Sequence, residues 1–552
     1  MTILGSKALL SRMFVLGATS LAGVMGFSIV SAMAEPGAQV RIETTTDRVW
    51  EGKIVTETDR DIVIRGVGGT FTIPRAAIRH MEHVQAKEPV APIATNRPAA
   101  AGEAWSSHIS AEQRAGVIRL TGSNTIGSQL GPDLLIAYGR DGRLIAPRDE
   151  PGALPEERTL TMHAAESDRT LRAEIQAHGT ATSFTDLLAG KADVGMASRR
   201  ITEAEVKALA ASGAGNLLQP GNENVISLDG VAVVVHRDNP VRALSRAQLK
   251  DILTGAKTRW SAFGGPDIKI TAYSPDEKTG AFDLLQDKIL GKGVTPPPDV
   301  QRFESNEDLA DAVASNPGGI GFVSLAYTRN TKTIPLATEC GVPPSEPSVF
   351  QVKTDEYPLA RRLYLYLGDN RSPLAEDFVA YTLSAAAQPV IEHSGFVNLD
   401  PMLAPASVTD SRLNFVTAKP AGPATARAGA AQIKAFGETV RGARRLSVTV
   451  RFETGKTEPD TRSKRDLERL RDWTQQPGRA RSLTLMGHSS IDGDYNANVA
   501  LSLRRAHEVE QRLKGLGVQV AGSIGVGPIS PVVCERGPDD ANINRRVEIW
   551  VQ

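Results

Sequence analysis

The sequence predicts an α/β chain of roughly three domains, the largest a central block of alternating strands and helices. Three observations carry that expectation. The chain has 552 residues, too many to share one hydrophobic core. Two Pro- and Ala-rich stretches, 86–109 and 401–436, read as linkers that divide it. Between them, apolar runs ending in Gly/Ser/Thr turns alternate with amphipathic segments, a pattern of parallel sheets with one cleft at the strand ends.

Lys plus Arg equals Asp plus Glu at 63 each, so no global field draws the chain to nucleic acid or to an anionic membrane, and no nucleic-acid partner is expected. The two cysteines, Cys340 and Cys534, fall in different blocks, and two free or buried thiols are expected rather than a bridge.

Residues 1–34 read as a secretory signal peptide: Lys7 and Arg12 are basic, Met13 to Val30 is apolar, and Ala32-Met33-Ala34 is a cleavage site. No cysteine follows the apolar run, so no lipid anchor is expected there, and the mature protein is expected in the periplasm. Residues 35–85 alternate β-branched and polar side chains in short runs, Val40-Arg41-Ile42, Val49 to Val55, Ile62-Val63-Ile64 and Phe71-Thr72-Ile73, with Asp59-Arg60-Asp61 and Gly68-Gly69 as turns. This predicts a small all-β barrel. It resembles an SH3-like or Sm-like barrel, the Glu51-Gly52-Lys53-Ile54 strand being bent by its glycine. His80-Met81-Glu82-His83 offers too few ligands for a metal, and no metal or cofactor is expected.

In the central block, 110–400, Val117-Ile118 and Leu120 form a buried strand that Gly122 breaks. Ser123-Asn124-Thr125-Ile126-Gly127 follows, and Leu130, Leu134, Leu135 and Tyr138 recur at helical spacing. Such a turn aims N–H groups and hydroxyls at one spot and suits a small anion, or simply caps a helix through Ser123 or Thr125. It is neither a Walker A loop nor a dinucleotide fingerprint. Further polar turns occur at Gly179-Thr180-Ala181-Thr182, at Ala197-Ser198-Arg199 and at Lys278-Thr279-Gly280, and Val231 to His236 reads as a buried strand.

These segments resemble the phosphate-binding subfamily of periplasmic substrate-binding proteins, two-lobed clamshell receptors of ABC transporters. The resemblance rests on Gly122 to Gly127, Ala192 to Arg199, Leu228 to Val233, Leu249 to Gly255 with Trp260, and Asn316 to Phe322. It implies a dry oxyanion site made by Ser123, Thr125, Thr180, Thr182, Ser198, Arg199, Lys278, Thr279 and Gly280, with phosphate as the leading ligand and an ABC permease as a candidate partner. The chain departs from the family pattern at three places: Ser198 stands where an aspartate accepts the proton of hydrogen phosphate, Pro275 where an arginine is usual, and Thr279-Gly280-Ala281 where Ser-Gly-Thr is usual. Arg199 or Lys278 is then the expected cation, and a site made only of donors should separate phosphate from sulfate poorly.

From 437 to 552, strands at Leu446 to Phe452, Ser482 to His488 and Arg546 to Val551 enclose helices at Lys464 to Trp473 and Ala497 to Leu513. The block resembles the OmpA-like peptidoglycan-binding domain, with Asn498-Val499-Ala500-Leu501-Ser502-Leu503-Arg504-Arg505-Ala506 and Asn544-Arg545-Arg546-Val547-Glu548 as its motifs. The resemblance implies an α/β sandwich that binds peptidoglycan, Arg505 clamping a diaminopimelate carboxylate of the stem peptide, with Asn498, Asp492 and Arg546 completing the candidate set. Ser490 replaces the family's aspartate, and Asp492 or Asp494 is the expected stand-in. No catalytic residue is expected: H-E-x-x-H and G-x-S-x-G are missing and Ser123 lacks a base. The whole reads as a wall-tethered oxyanion receptor at the peptidoglycan and outer membrane; the alternatives are a non-enzymatic envelope adaptor with a degenerate anion site and, less favoured, a hydrolase.

Overall fold

The structure is a computed structural model; it describes residues 39–44, 49–58, 60–66, 69–83, 107–110, 112–154, 156–213, 215–219, 221–277, 279–291, 293–303, 305–338, 340–418, 430–452, 458–479, 482–535 and 537–552. The expected signal peptide, Lys278 and most of the first linker lie outside them. The chain divides into two compact units, 1–94 and 95–552.

The first unit is an antiparallel sheet of β1 (Gln39–Thr44), β2 (Val49–Glu57), β3 (Asp61–Gly66), β4 (Gly69–Pro74) and β5 (Ile78–His83), in the order β4-β3-β2-β1-β5. Alternation puts Val40, Ile42, Ile62 and Ile73 on one buried face. The irregularity in β2 falls between Ile54 and Thr56, past Gly52.

The second unit begins with two lobes on one continuous sheet. β6 (Gly116–Gly122), β7 (Leu144–Pro151), β8 (Glu157–Ala164), β9 (Thr170–Gln176) and β10 (Val194–Ala197) build the first lobe around Leu120, Leu134, Met196 and Phe378. β12 (Thr271–Pro275), β13 (Gln301–Phe303), β14 (Gly319–Ser324) and β15 (Lys332–Thr333) carry the second, with Trp260, Leu285 and Phe322 in its core. The lobes are joined by β11 (Glu223–Val235) and β16 (Ala360–Tyr366). β11 pairs with β16 over Glu223 to Gly230 and with β14 over Val231 to Val235, so one strand serves both lobes.

Only the cores of the two lobes are parallel, β6 with β9 and β10, and β12 with β13 and β14. Around β11 and β16 the pairing is antiparallel, against the expectation of purely parallel sheets. The valine run therefore marks half of a strand whose 13 residues are all buried.

The C-terminal part has β17 (Arg444–Arg451), β18 (Leu483–His488), β19 (Val520–Gly527) and β20 (Arg546–Val551), ordered β17-β20-β18-β19. Helices Thr461–Gln475 and Tyr495–Gly515 cover one face through Leu467, Leu470, Val509 and Leu513. Much of the expected second linker is instead structure. Helices Ala406–Thr417 and Ala430–Val440 set Val416, Phe436 and Val440 against Met486 and Trp550, so this stretch closes the other face.

This part is locked to the lobes, and here the cysteine expectation fails. Cys340 and Cys534 form a disulfide, Cα atoms 5.8 Å apart, because packing brings together segments 194 residues apart in sequence. Across the same junction, Arg445 donates to Glu356 at 3.1 Å and lies 3.3 Å from Glu548, which also binds Arg412 at 2.6 Å and Arg546 at 2.7 Å. Burial opposes ionisation of Glu548, but Arg412 and Arg445 hold it well below the usual carboxylate range. Asp355 receives Arg362 at 2.8 Å and Arg462 at 2.7 Å.

Candidate functional site

The site is built where the first turn leaves β6. Gly122 has φ +130°, and an added Cβ would stand 2.0 Å from the carbonyl oxygen of Met196, so only glycine lets the first and third turns touch. There the Ser123 N–H donates to that carbonyl at 2.8 Å, and the Gly179 N–H donates to the Gly122 carbonyl at 2.8 Å. Three of the polar turns thus meet through backbone. Neither expected cap is made: Thr125 is already helical and its side chain caps nothing. Ser123 is 1% exposed. Its Oγ, with Thr121 Oγ1 and Asn124 Oδ1, is buried with no hydrogen-bond partner among the described residues.

From the second and third turns, Thr180 Oγ1 and Ser198 Oγ lie 3.0 Å apart, and the Ser198 N–H donates to Thr180 Oγ1 at 3.0 Å. Thr182 turns away, donating to the Gly179 carbonyl at 2.9 Å. Arg199, one of the two expected cations, donates to both oxygens of Glu205 at 3.0 and 2.7 Å, and the pairing raises its already high pKa. Its charge is met before any ligand arrives. In the fourth turn, the Thr279 hydroxyl caps helix Gly280–Leu285, accepting from the Phe282 N–H at 3.2 Å and donating to Asp276 O at 2.7 Å. Gly280 is pressed between lobes: a Cβ there would stand 2.0 Å from Thr125 Oγ1 and 2.6 Å from the Arg361 guanidinium.

Arg361 is a cation at the meeting of the turns that the sequence reading did not single out. It opens β16 directly opposite Asp229 of β11. It donates to Asp229 from Nε at 2.9 Å, to Thr125 Oγ1 at 3.0 Å and to the Gly280 carbonyl. Ser324 Oγ donates to the other Asp229 oxygen at 3.0 Å. The first turn, from one lobe, and the fourth, from the other, therefore meet on one guanidinium. The available signal was a charged pair, Arg361-Arg362, at the head of the buried strand Leu363 to Tyr366. A cleft of about 890 Å³ opens from Thr180, Ser198, Arg199 and Arg361 and runs to Phe452 and Ile543. Asp283 lines it, its pKa raised by burial against the opposing pull of Arg361 and Arg199.

In the C-terminal part, Arg505 is 1% exposed and lies 5.2 Å over the Phe452 ring, burial bringing its pKa down to about 10. The Asn498 amide donates to the Asp492 carbonyl at 2.6 Å, fixing the loop. Asp494 caps helix Tyr495–Gly515, accepting from the Ala497 N–H at 2.8 Å. Arg546 does not join the candidate wall site: it is fully buried on Glu548, where the side chain completes the interdomain cluster. A carboxylate overlooked in the sequence, Glu535, accepts from the Ile491 N–H at 3.1 Å and the Asn544 amide at 2.8 Å. It thus stands one residue from Ser490, the position of the missing aspartate. Among the described residues no cluster of His, Cys, Asp and Glu could hold a metal ion.

Two lobes joined by crossing strands, with polar turns at their meeting line, are the form of a substrate-binding protein, and the PBP superfamily domain matches residues 160–386. The phosphate-binding protein PstS of Staphylococcus saprophyticus is 30% identical over 236 residues, 40% of this chain and 69% of its own. The chain belongs to that family, one of binding proteins and not of enzymes. The phosphate-binding protein PstS of Staphylococcus epidermidis is 28% identical over 290 residues, 50% of this chain and 83% of its own. An ABC-type phosphate transport receptor from Vibrio cholerae aligns at 23% identity and TM-score 0.40, covering 51% of this chain and 99% of that one.

Proposed function

We propose that the protein is an exported receptor that holds a tetrahedral oxyanion, phosphate foremost, between its lobes. The observation that carries this reading is the pair of buried hydroxyls, Thr121 Oγ1 and Ser123 Oγ, which have no hydrogen-bond partner among the described residues, at the turn tied by Thr125 to Arg361. A buried hydroxyl without a partner costs roughly 1–3 kcal/mol, a cost that a bound oxyanion would offset. Ser123, Thr125, Thr180, Ser198 and Gly280 are the contacts we assign, with Arg361 in the role first given to Arg199 or Lys278. Thr279 acts through the helix it caps, and Thr182 through its bond to the Gly179 carbonyl. The names of the relatives support phosphate as the ligand, and family membership makes an ABC permease a reasonable recipient.

The C-terminal part we assign to peptidoglycan, Arg505 taking a diaminopimelate carboxylate and Glu535, with Asp492 nearby, taking its ammonium. Support comes from the place of Glu535 beside Ser490 and the fixed Asn498–Asp492 loop. The Cys340–Cys534 bridge fits an oxidising compartment such as the periplasm. Co-sedimentation with purified sacculi tests the tether: the full chain is expected to pellet, and Arg505→Ala and Glu535→Gln to stay in solution while keeping the wild-type phosphate response. A folded Arg505→Ala that still pellets would remove the assignment.

The anion site is tested by thermal unfolding in phosphate, where Tm should climb with RT ln(1 + [L]/Kd). Because the Thr180–Ser198 hydroxyls accept as well as donate, sulfate should bind within about tenfold of phosphate, or about 1.4 kcal/mol. One observation favours a second reading, an adaptor with a degenerate anion site: Arg199 and Arg361 are both already paired with carboxylates. Absence of any anion response would favour it.

A further inference from the structure

Because β11 and β16 join the two lobes, opening of the cleft bends these strands. The two ends of β11 belong to different lobes. Glu223 to Val225 pair with Tyr364 to Tyr366, which on their other side pair with β10 of the first lobe, whereas Val231 to Val235 pair with β14 of the second.

The C-terminal part is fastened on the second-lobe side of this hinge. The Cys340–Cys534 bridge joins it beyond β15, Arg445 donates to Glu356 at 3.1 Å, and Arg462 donates to Asp355 at 2.7 Å and to the Lys353 carbonyl at 2.6 Å. Asp460, the cap of helix Thr461–Gln475, accepts from Arg362 on β16 at 3.0 Å. Further along the same helix, Arg465 donates to Asn224 Oδ1 at 2.9 Å, at the first-lobe end of β11. One helix therefore holds both sides of the hinge.

Stability alone does not account for Arg465. Its Nη1 is buried and makes no hydrogen bond among the described residues, and burial, with Arg469 nearby, lowers its pKa. An apolar side chain of similar length would be buried there at lower cost. What the guanidinium adds is a directed bond to Asn224.

We infer that helix Thr461–Gln475 splints the hinge: Arg465 locks the first lobe to the body formed by the second lobe and the C-terminal part, and the cleft opens only when that bond breaks. The inference rests on the oxyanion reading for its consequence, that the C-terminal part sets how fast the ligand is released.

The test is electron-spin distance measurement on the mature full chain labelled at Lys191→Cys and Lys257→Cys, exposed positions on the first and second lobes. It compares Arg465 with Arg465→Met and with Arg469→Met, a control because Arg469 pairs with Asp466 of its own helix at 2.8 Å. Arg465→Met is expected to spread the inter-lobe distances toward longer values. Release of labelled phosphate, chased with unlabelled, should quicken about tenfold, the order of one hydrogen bond from a charged group; an unchanged or higher Tm shows that the variant is folded. Distances in Arg465→Met that match the control, or release from it no faster than wild type, overturn the inference and leave the oxyanion receptor standing. Phosphate binding by none of the three chains removes the oxyanion reading, and the distances still decide the splint.

Discussion

Two residues of the proposed anion site, Ser123 and Arg361, differ in what they contribute to stability. Ser123 Oγ makes no hydrogen bond among the described residues, so Ser123→Ala should leave stability within about 1 kcal/mol of wild type, or raise it. Phosphate affinity should nevertheless fall about tenfold, for loss of about 1.4 kcal/mol; urea unfolding and calorimetry on the same variant check both halves. Arg361 is the opposite case. Its removal leaves Asp229 buried with Ser324 as its side-chain partner among the described residues, and Arg361→Gln should cost about 3–5 kcal/mol, partly recovered in the double variant with Asp229→Asn. The strand-ending Gly-Ser-Asn-Thr turn that carries Ser123 was legible as a candidate because such a turn has its own chemistry. Arg361 was not, because its role depends on cross-strand register with Asp229, and register between distant segments leaves no local pattern.

At the scale of elements, the readable pieces were those whose apolar residues carry one clear period. Helix Tyr495–Gly515 buries Val509 and Leu513, and β6 buries Ile118 and Leu120, as their spacing requires. β11 was read only from its valines, because Glu223, Asn224, Ser227 and Asp229 look like loop until their buried partners are known. β19 was missed for a related reason: Gly522, Gly525 and Gly527 leave it few apolar side chains to alternate. Helices Ala406–Thr417 and Ala430–Val440 were hidden by a Pro- and Ala-rich composition that resembles a linker. The tight meeting of elements at Gly280 makes a test. Gly280→Ala would drive a methyl group into Thr125 and Arg361; overpacking of this kind costs about 1–3 kcal/mol. The cost should fall on closure of the lobes, so that phosphate affinity drops tenfold or more while circular dichroism is unchanged.

Across the whole second unit, the disulfide and the buried ion pairs make the C-terminal part and the lobes one body. Reduction of Cys340–Cys534, which closes a loop of 194 residues, should lower stability by about 3–5 kcal/mol, as read from urea unfolding with and without reductant. The same junction sets a pH dependence. Burial, aided by Arg546, pushes the His488 imidazole down to about 3, against the pull of Glu548. The unfolded chain, with an ordinary imidazole near 6.5, then binds more protons than the folded one between those values. The contribution is full above about pH 6.5 and is lost as pH falls through that window, at up to about 1.4 kcal/mol per unit. His488→Gln should flatten the decline between pH 6.5 and 5, where ordinary carboxylates have barely begun to titrate. Neither this cluster nor the bridge was legible in advance, since both exist only once the two parts have packed.

The central claim is that hydroxyl turns from both lobes grip an oxyanion around Arg361, and the most direct measurement is titration of the mature full chain with inorganic phosphate by calorimetry, alongside Ser123→Ala. Saturable binding at one site per chain, weakened about tenfold in the variant, is the expected result. No heat and no thermal stabilisation at millimolar phosphate, with the chain folded, would contradict the claim.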